Sequence, residues 1–534
     1  MFEARIDFAD LSAPVGSTGG GVIFGGSWIR PYAHRLLWHA VWESEARLVV
    51  ASWERFSDEA DDFAFEARLS DDEVQARIDD IRGRLLDYGL IILDRRDGTV
   101  RYRSSAAMTA PVYLLHSLHG VTIDWDYTRL LAGRPIAIDL ARALIPVALL
   151  PAFSAETMVH GLWRSAPGAT LIADEESVAI VKPEPIEFRG PQTVAPGVDV
   201  EQILFETMQA LLAARPLERE RTGIELSGGM DSALARLATA AVLGDGVMSV
   251  GAQFDGPVGD AQRARRRFLC EKGGFDDLEI PAGRYAPFSP PSLRRRQLGV
   301  WPEDENFPEV FEAIFTMLQA AGIDALVTGL GGDELYFAYE GEEDRQAPPA
   351  APSPYLTAAG HALARTAVTN YPRGWLQDSC WLGAAAQTQT QRALRYGVWP
   401  IYPYHAPALA KFVGHLPWEY RRDRILLRRT LTRVTGDAMF EHDYEKESFR
   451  PVAFRGAREN RAWLIDLLRR SAWLDPHFVD VERAMADLAR DPEDLPLRDF
   501  NSLSMLLRVC SFFQPGEVPV TVVAPDAAPM VPAE

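Results

Sequence analysis

From about residue 200 the chain alternates short apolar strands with amphipathic helices, and that alternation restricts its fold more than any other feature. Residues 201–213 carry Ile203, Leu204, Met208, Leu211 and Leu212 on a helical spacing. The short strand Gly223-Ile224-Glu225-Leu226 follows, then a Gly-rich turn, then a helix around Ala233-Leu234-Ala235-Arg236-Leu237-Ala238. Further strands are predicted over 248–254 and 325–329, the second preceded by a helix. Strands that alternate with helices predict a parallel, doubly wound sheet. The stretch from about 355 to 515 reads as largely helical and contains a basic helix from Arg424 to Arg433.

Before residue 190 the pattern differs. Apolar runs recur at 48–51, 90–93, 112–115 and 121–125, separated by turn formers such as Arg96-Asp97-Gly98 and Ala166-Pro167-Gly168. One helix is predicted from Asp71 to Tyr88. The Gly-rich run from Gly19 to Gly26 has no helix after it and reads as strand and turn. The expected organisation is a layered β-rich domain over 1–190, a Pro-rich boundary over 183–199, an α/β domain over 200–515 and a flexible tail over 516–534. The stretch 341–353, acidic and then rich in Pro and Ala, reads as a mobile surface loop.

Composition excludes several classes of function. No run of about eighteen uncharged apolar residues is present, so no membrane span is expected. The first residues lack a basic head followed by an apolar stretch, so no signal peptide is expected. Cys270, Cys380 and Cys510 are too scattered for a disulfide framework or a metal knuckle, which fits a cytoplasmic protein. A formal charge of −20 opposes nucleic acid as a partner.

The turn Ser227-Gly228-Gly229-Met230-Asp231-Ser232 joins a strand to a helix at the carboxyl edge of the predicted sheet, where ligands bind in open α/β folds. Gly228 and Gly229 allow positive φ and close approach of an anion. The helix start presents backbone N–H groups, and Ser227 and Ser232 add hydroxyls. Asp231 would repel phosphate unless it held Mg2+ between them. The turn lacks the lysine of a Walker loop. A second strand ends in Thr328-Gly329-Leu330-Gly331-Gly332-Asp333-Glu334, which brings Asp333 to the same edge as Asp231.

The first turn resembles the pyrophosphate loop of the asparagine synthetase superfamily, and the second is similar to its Gly-rich turn ending in Asp-Glu. Members cleave ATP between the α and β phosphates and pass the adenylated acyl group to an amine. The resemblance implies ATP and Mg2+ as cofactors, Asp231 and Asp333 as metal ligands, Ser227, Gly228, Gly229 and Ser232 on the phosphates, and Gly329, Gly331 and Gly332 along the nucleotide. It also implies an ATP-pyrophosphatase-type (PP-loop) sheet behind a glutaminase-like (Ntn-type) domain. Lys446, in Tyr444-Glu445-Lys446-Glu447-Ser448-Phe449 after the basic helix, matches the superfamily's late lysine, which neutralises charge in the transition state. On residues alone it reads as a surface lysine paired with Glu445 or Glu447.

Two departures narrow the expected function. Residue 2 is Phe2, where glutamine-dependent members expose a cysteine, although Trp125-Asp126-Tyr127 and 163–168 still resemble that domain. The glutaminase is therefore expected to be inactive, and the amine to come from the substrate. The glutamate that asparagine-forming members carry before Tyr402-Pro403-Tyr404-His405 is absent from 395–399. Chain order and the helices Leu464 to Leu474 and Asp499 to Cys510 look most like the lasso-peptide macrolactam synthetases, with β-lactam synthetases also similar. The expected substrate is a peptide or a small amino-acid-derived molecule, with a leader-peptide-binding protein and a protease as pathway partners. Ammonia-dependent asparagine synthesis and a non-catalytic nucleotide-binding scaffold are the alternatives.

Overall fold

The computed structural model describes residues 1–57, 64–84, 86–107, 110–150, 153–183, 190–272, 276–304, 307–339, 341–342, 351–368, 380–441 and 447–523. Lys446 and most of the expected loop 341–353 lie outside these residues.

The N-terminal part is layered and β-rich. One seven-stranded sheet carries Phe2–Asp7 between Gly120–Asp124 and Ser27–Pro31. A second seven-stranded sheet is centred on Arg47–Glu54, Tyr88–Asp94 and Thr99–Ser104. Strand periodicity explains the layering. Along Arg47–Glu54, Leu48 and Val50 join the core that also holds Phe2, Ala4 and Ile6 of the first sheet. Val49, Ala51 and Trp53 point the other way, onto Val74, Ile78 and Ile81 of the helix Asp71–Gly83. Burying those three helix side chains stabilises the layer by about 1.5–3 kcal/mol each. Ser70 and Glu73 close a capping box at the helix start. The helix stops at Gly83, short of the expected Tyr88, because Arg84 is extended and Tyr88 pairs with Trp53.

The C-terminal part holds a five-stranded parallel sheet. Its spatial order is Asp277–Pro281, Met248–Gln253, Thr222–Glu225, Ala325–Val327 and Trp399–Ile401. The order reverses at Thr222–Glu225, which lies between the second and fourth strands in the chain. The loops leaving Thr222–Glu225 and Ala325–Val327 therefore flank the topological switch point, the usual ligand crevice of such sheets. Trp399–Ile401 was not anticipated within the helical stretch. It is short, and all of its side chains are buried, so it shows no alternation. Helix Val200–Ala213 starts at the Asp199 cap and buries Leu204, Met208 and Leu212, whereas Ile203 is exposed. Part of the expected flexible tail is instead a strand: Val520–Val523 pairs in parallel with Ile136–Asp139. Among the described residues no helix is long and apolar enough to cross a membrane.

Partly buried polar contacts join the two parts. Arg35 pairs with Asp324 at 2.8 Å, Arg215 with Glu54 at 2.6 Å and Arg395 with Asp126 at 2.8 Å. His34 lies 3.1 Å from the Asp324 carbonyl. Burial lowers the pKa of His34 and His39 to about 4 and that of His405 to about 3. The unfolded chain protonates these rings near their ordinary value, and the native chain does so only at lower pH. Stability should therefore fall as pH drops below about 6.5, by about 1.4 kcal/mol per pH unit for each ring. Asp124, pushed up to about 6 by burial, opposes this, because it takes its proton earlier in the native state. Three rings outweigh one carboxylate, so the urea midpoint should be lower at about pH 5 than at about pH 7.5. Equal midpoints would contradict the burial of neutral rings.

Candidate functional site

The turn after Thr222–Glu225 is closed on itself by its two serines. The Ser227 and Ser232 hydroxyl oxygens lie 2.9 Å apart. The Gly229 N–H donates to Ser227 Oγ at 3.1 Å, and Ser232 Oγ donates to the Gly229 carbonyl at 3.1 Å. Gly228 has φ +83°, the left-handed region, and an added Cβ would stand 3.0 Å from Gln262 Cγ. Gly229 is extended at φ −80°, so only the first of the two glycines needs that freedom. The helix begins at Met230 and places Asp231 in its first turn.

The second Gly-rich turn packs directly on the first. A Cβ on Gly329 would lie 2.6 Å from Ser232 N, and one on Gly332 would lie 2.4 Å from Asp231 Oδ1. Gly331 has φ +96° and sits against the His405 ring. The sequence-predicted residues of the two turns are thus brought together. Gly329→Ala meets backbone that cannot move aside. It should lower the unfolding free energy by about 1–3 kcal/mol, read by denaturant titration. Gly19→Ala, which meets nothing within 4 Å, should leave stability unchanged.

Asp231 and Asp333 converge on one guanidinium. Arg424 donates to Asp231 Oδ2 at 3.1 Å and also to Asp333. Asp423 and Arg424 hold left-handed backbone, at φ +51° and +55°, just before the helix Ile425–Thr435. Such a pair of non-glycine residues is strained and needs external support. Arg428 supplies it by donating to the Asp423 carbonyl. Arg421, fully buried, bonds Glu342 at 2.5 Å and the Leu416 carbonyl at 2.9 Å. From the opposite side, the Tyr404 hydroxyl donates to the Asp231 carbonyl at 2.9 Å. Burial pushes the Tyr404 phenol well above its ordinary range, so it stays a donor. Trp399 and Tyr402 are core residues, and Trp399 donates to Glu54 at 2.9 Å.

A third element braces the turn. On the helix Gly256–Glu271, Gln262 donates to the Ser227 carbonyl at 2.6 Å and Arg265 donates to the Gly228 carbonyl at 2.9 Å. Arg265 forms a buried ion pair with Glu447. Glu447, the residue after Lys446, is thereby tied to the first turn. The position of Lys446 itself is outside the described residues.

Arg424, Arg265 and Gln262 were not singled out from the sequence, and Glu447 was read only as a partner for Lys446, whereas it pairs with Arg265. Gln262, Arg265 and Arg266 recur at helical spacing after a strand, which places three polar side chains on the face toward the sheet edge. Arg424 belongs to the dense charge run Arg421-Arg422-Asp423-Arg424 before an apolar helix.

Among the described residues no group of three or more His, Cys, Asp or Glu side chains converges as a cation cage. Two carboxylates at one spot suit Mg2+ held jointly with phosphate oxygens, which is how that ion is usually bound. Hydroxyls and a helix start beside them suit phosphate. These donor types could hold a magnesium–nucleotide ligand if the two carboxylates exchanged the Arg424 guanidinium for the cation. No protein-family model matches the chain, and no curated protein matches it in sequence.

Proposed function

We propose that this chain makes an amide bond from a carboxylate and an amine at the expense of ATP, releasing AMP and pyrophosphate. The observation that carries this reading is the meeting of Asp231 and Asp333, from two Gly-rich loops at the switch point of a parallel sheet, on Arg424. A carboxylate oxygen of the substrate attacks the α-phosphorus, and pyrophosphate leaves. The amine then attacks the acyl carbon, AMP departs and the nitrogen loses a proton. Backbone N–H groups around Gly228 and Gly229, with the Ser227 and Ser232 hydroxyls, would hold the phosphates. Asp231 and Asp333 would hold Mg2+, which neutralises phosphate charge when bound.

In this reading the parallel-sheet domain is of the ATP-pyrophosphatase type, and the layered N-terminal part is a glutaminase-like domain without its nucleophile. Phe2 supports the second point: it is fully buried and packs edge-on against Tyr102, with ring centroids 6.2 Å apart. The amine then comes from the substrate, which favours closure of a lasso precursor peptide between its N-terminal amine and an Asp or Glu side chain. A leader-peptide-binding protein and a protease would share that cytoplasmic pathway. Lys446 would stabilise the charge that develops on the carbonyl oxygen and the departing phosphate. Single-turnover amide formation should fall about 10²–10³-fold in Lys446→Ala, with ATP binding much less affected and Lys446→Arg only partly restored. Near-normal product formation in Lys446→Ala would remove the lysine from the site. Absence of carboxylate-dependent ATP–pyrophosphate exchange with every peptide and amino-acid substrate tried would count against the reaction itself.

A further inference from the structure

A cavity of about 340 Å³ opens beside the segment that follows Lys446. Phe288, Phe307, Phe449, Phe500 and Leu507 form its apolar walls. Phe307 and Phe449 stack at 4.1 Å, and Phe454 braces Phe500 edge-on at 4.8 Å, so these walls are rigid. Ser448, Asn501 and Ser504 add hydrogen-bonding groups to the lining. The volume lies at the small end of ligand pockets, which hold about 300–1,000 Å³. Such a space suits one or two large side chains and excludes a folded domain.

Two features connect this cavity with the candidate site. Glu447 lines it and is ion-paired with Arg265, whose guanidinium donates to the Gly228 carbonyl of the phosphate turn. Phe449 lines it and also meets Phe254, at the carboxyl end of the strand Met248–Gln253, with centroids 4.7 Å apart. The cavity therefore shares its wall with the elements that hold the turn.

Resting on the amide-forming reading, we propose that this cavity receives a large apolar side chain, aromatic or branched aliphatic, of the amino-acid-derived substrate, while Asn501 and Ser504 bond the polar groups flanking its α-carbon. Anchoring that side chain would hold the reacting carboxylate or amine at the phosphate turn, converting binding into orientation. The bound group is either a residue within a peptide or a free amino acid, and the chemistry of the cavity is the same for both.

The test uses the full chain and three probes: N-acetyl-L-phenylalaninamide, L-phenylalanine and N-acetyl-L-alaninamide, titrated by saturation-transfer NMR. A phenylalanine probe should bind at least about tenfold more tightly than the alanine amide. Tighter binding of the blocked amide than of L-phenylalanine assigns the cavity to a peptide residue; the reverse assigns it to a free amino acid. Ala453→Trp and Ser504→Leu, which fill the cavity from two different helices, should each weaken the better phenylalanine probe about tenfold or more. Thermal unfolding identifies a variant that fails to fold, and the wild-type comparison stands without it. Equal binding of the phenylalanine and alanine amides, no binding of either phenylalanine probe, or undiminished binding in folded, filled variants would overturn the proposal. Nucleotide binding on the same samples tests the amide-forming reading separately. Its loss leaves the probe result intact, and its presence does not rescue a failed probe result.

Discussion

Asp231→Asn and Asp333→Asn are each expected to reduce ATP–pyrophosphate exchange at least about 10²-fold while the chain stays folded. Each substitution keeps shape and removes one negative charge. Among the described residues the two carboxylates share the Arg424 guanidinium. Removing one carboxylate weakens the attraction for a divalent cation. Asp333 is the more exposed of the two, at 42% against 19% for Asp231, so its substitution should perturb folding less. Exchange is the informative readout, with thermal unfolding as its companion. If both variants lost stability yet kept exchange, the carboxylates would serve only to fix Arg424, and the metal assignment would fall. Raising the Mg2+ concentration should partly restore exchange in Asp333→Asn if the carboxylate acts through the cation.

The legible parts of the fold were those governed by local periodicity. The helix Val200–Ala213, the strand before Ser227 and the helix after it could be read because their apolar residues repeat over several turns or sit beside glycines. The carboxyl-edge placement of the two turns followed from the alternation of strand and helix. Trp399–Ile401 could not be read in this way, because a three-residue buried strand is set by its neighbour Ala325–Val327 and not by its own pattern. The same holds for Val520–Val523, whose partner Ile136–Asp139 is remote in sequence. In the site, glycine spacing marked both turns, and the structure packs one against the other. It also shows what spacing could not: which cation stands between the acids. Arg424 reaches them through a left-handed turn whose Asp423 carbonyl accepts from Arg428, and several arginines nearby had equal claim on charge alone. Of the two glycines in the first turn, only Gly228 uses positive φ.

The buried pair Arg265–Glu447 should be among the most costly single contacts to break. The Arg265 and Glu447 side chains are only 9% and 8% exposed, so water compensates little for a lost partner. Arg265→Met removes the ion pair from the buried Glu447, and Glu447→Gln removes it from Arg265. Each should destabilise the chain by about 3–5 kcal/mol, read from denaturant titration. The double variant should lose much less than the sum, because the second change removes the charge that the first exposed. Function adds a second signature. Arg265 also holds the Gly228 carbonyl at 2.9 Å, in a turn whose backbone is already left-handed. Arg265→Met should therefore weaken nucleotide binding more than Glu447→Gln does, since only the former removes that hydrogen bond. Additive losses of stability would show that the two residues act independently. Equal nucleotide affinity in the two single variants would show that the turn keeps its shape without Arg265, leaving Gln262, which donates to the Ser227 carbonyl at 2.6 Å, as its main support.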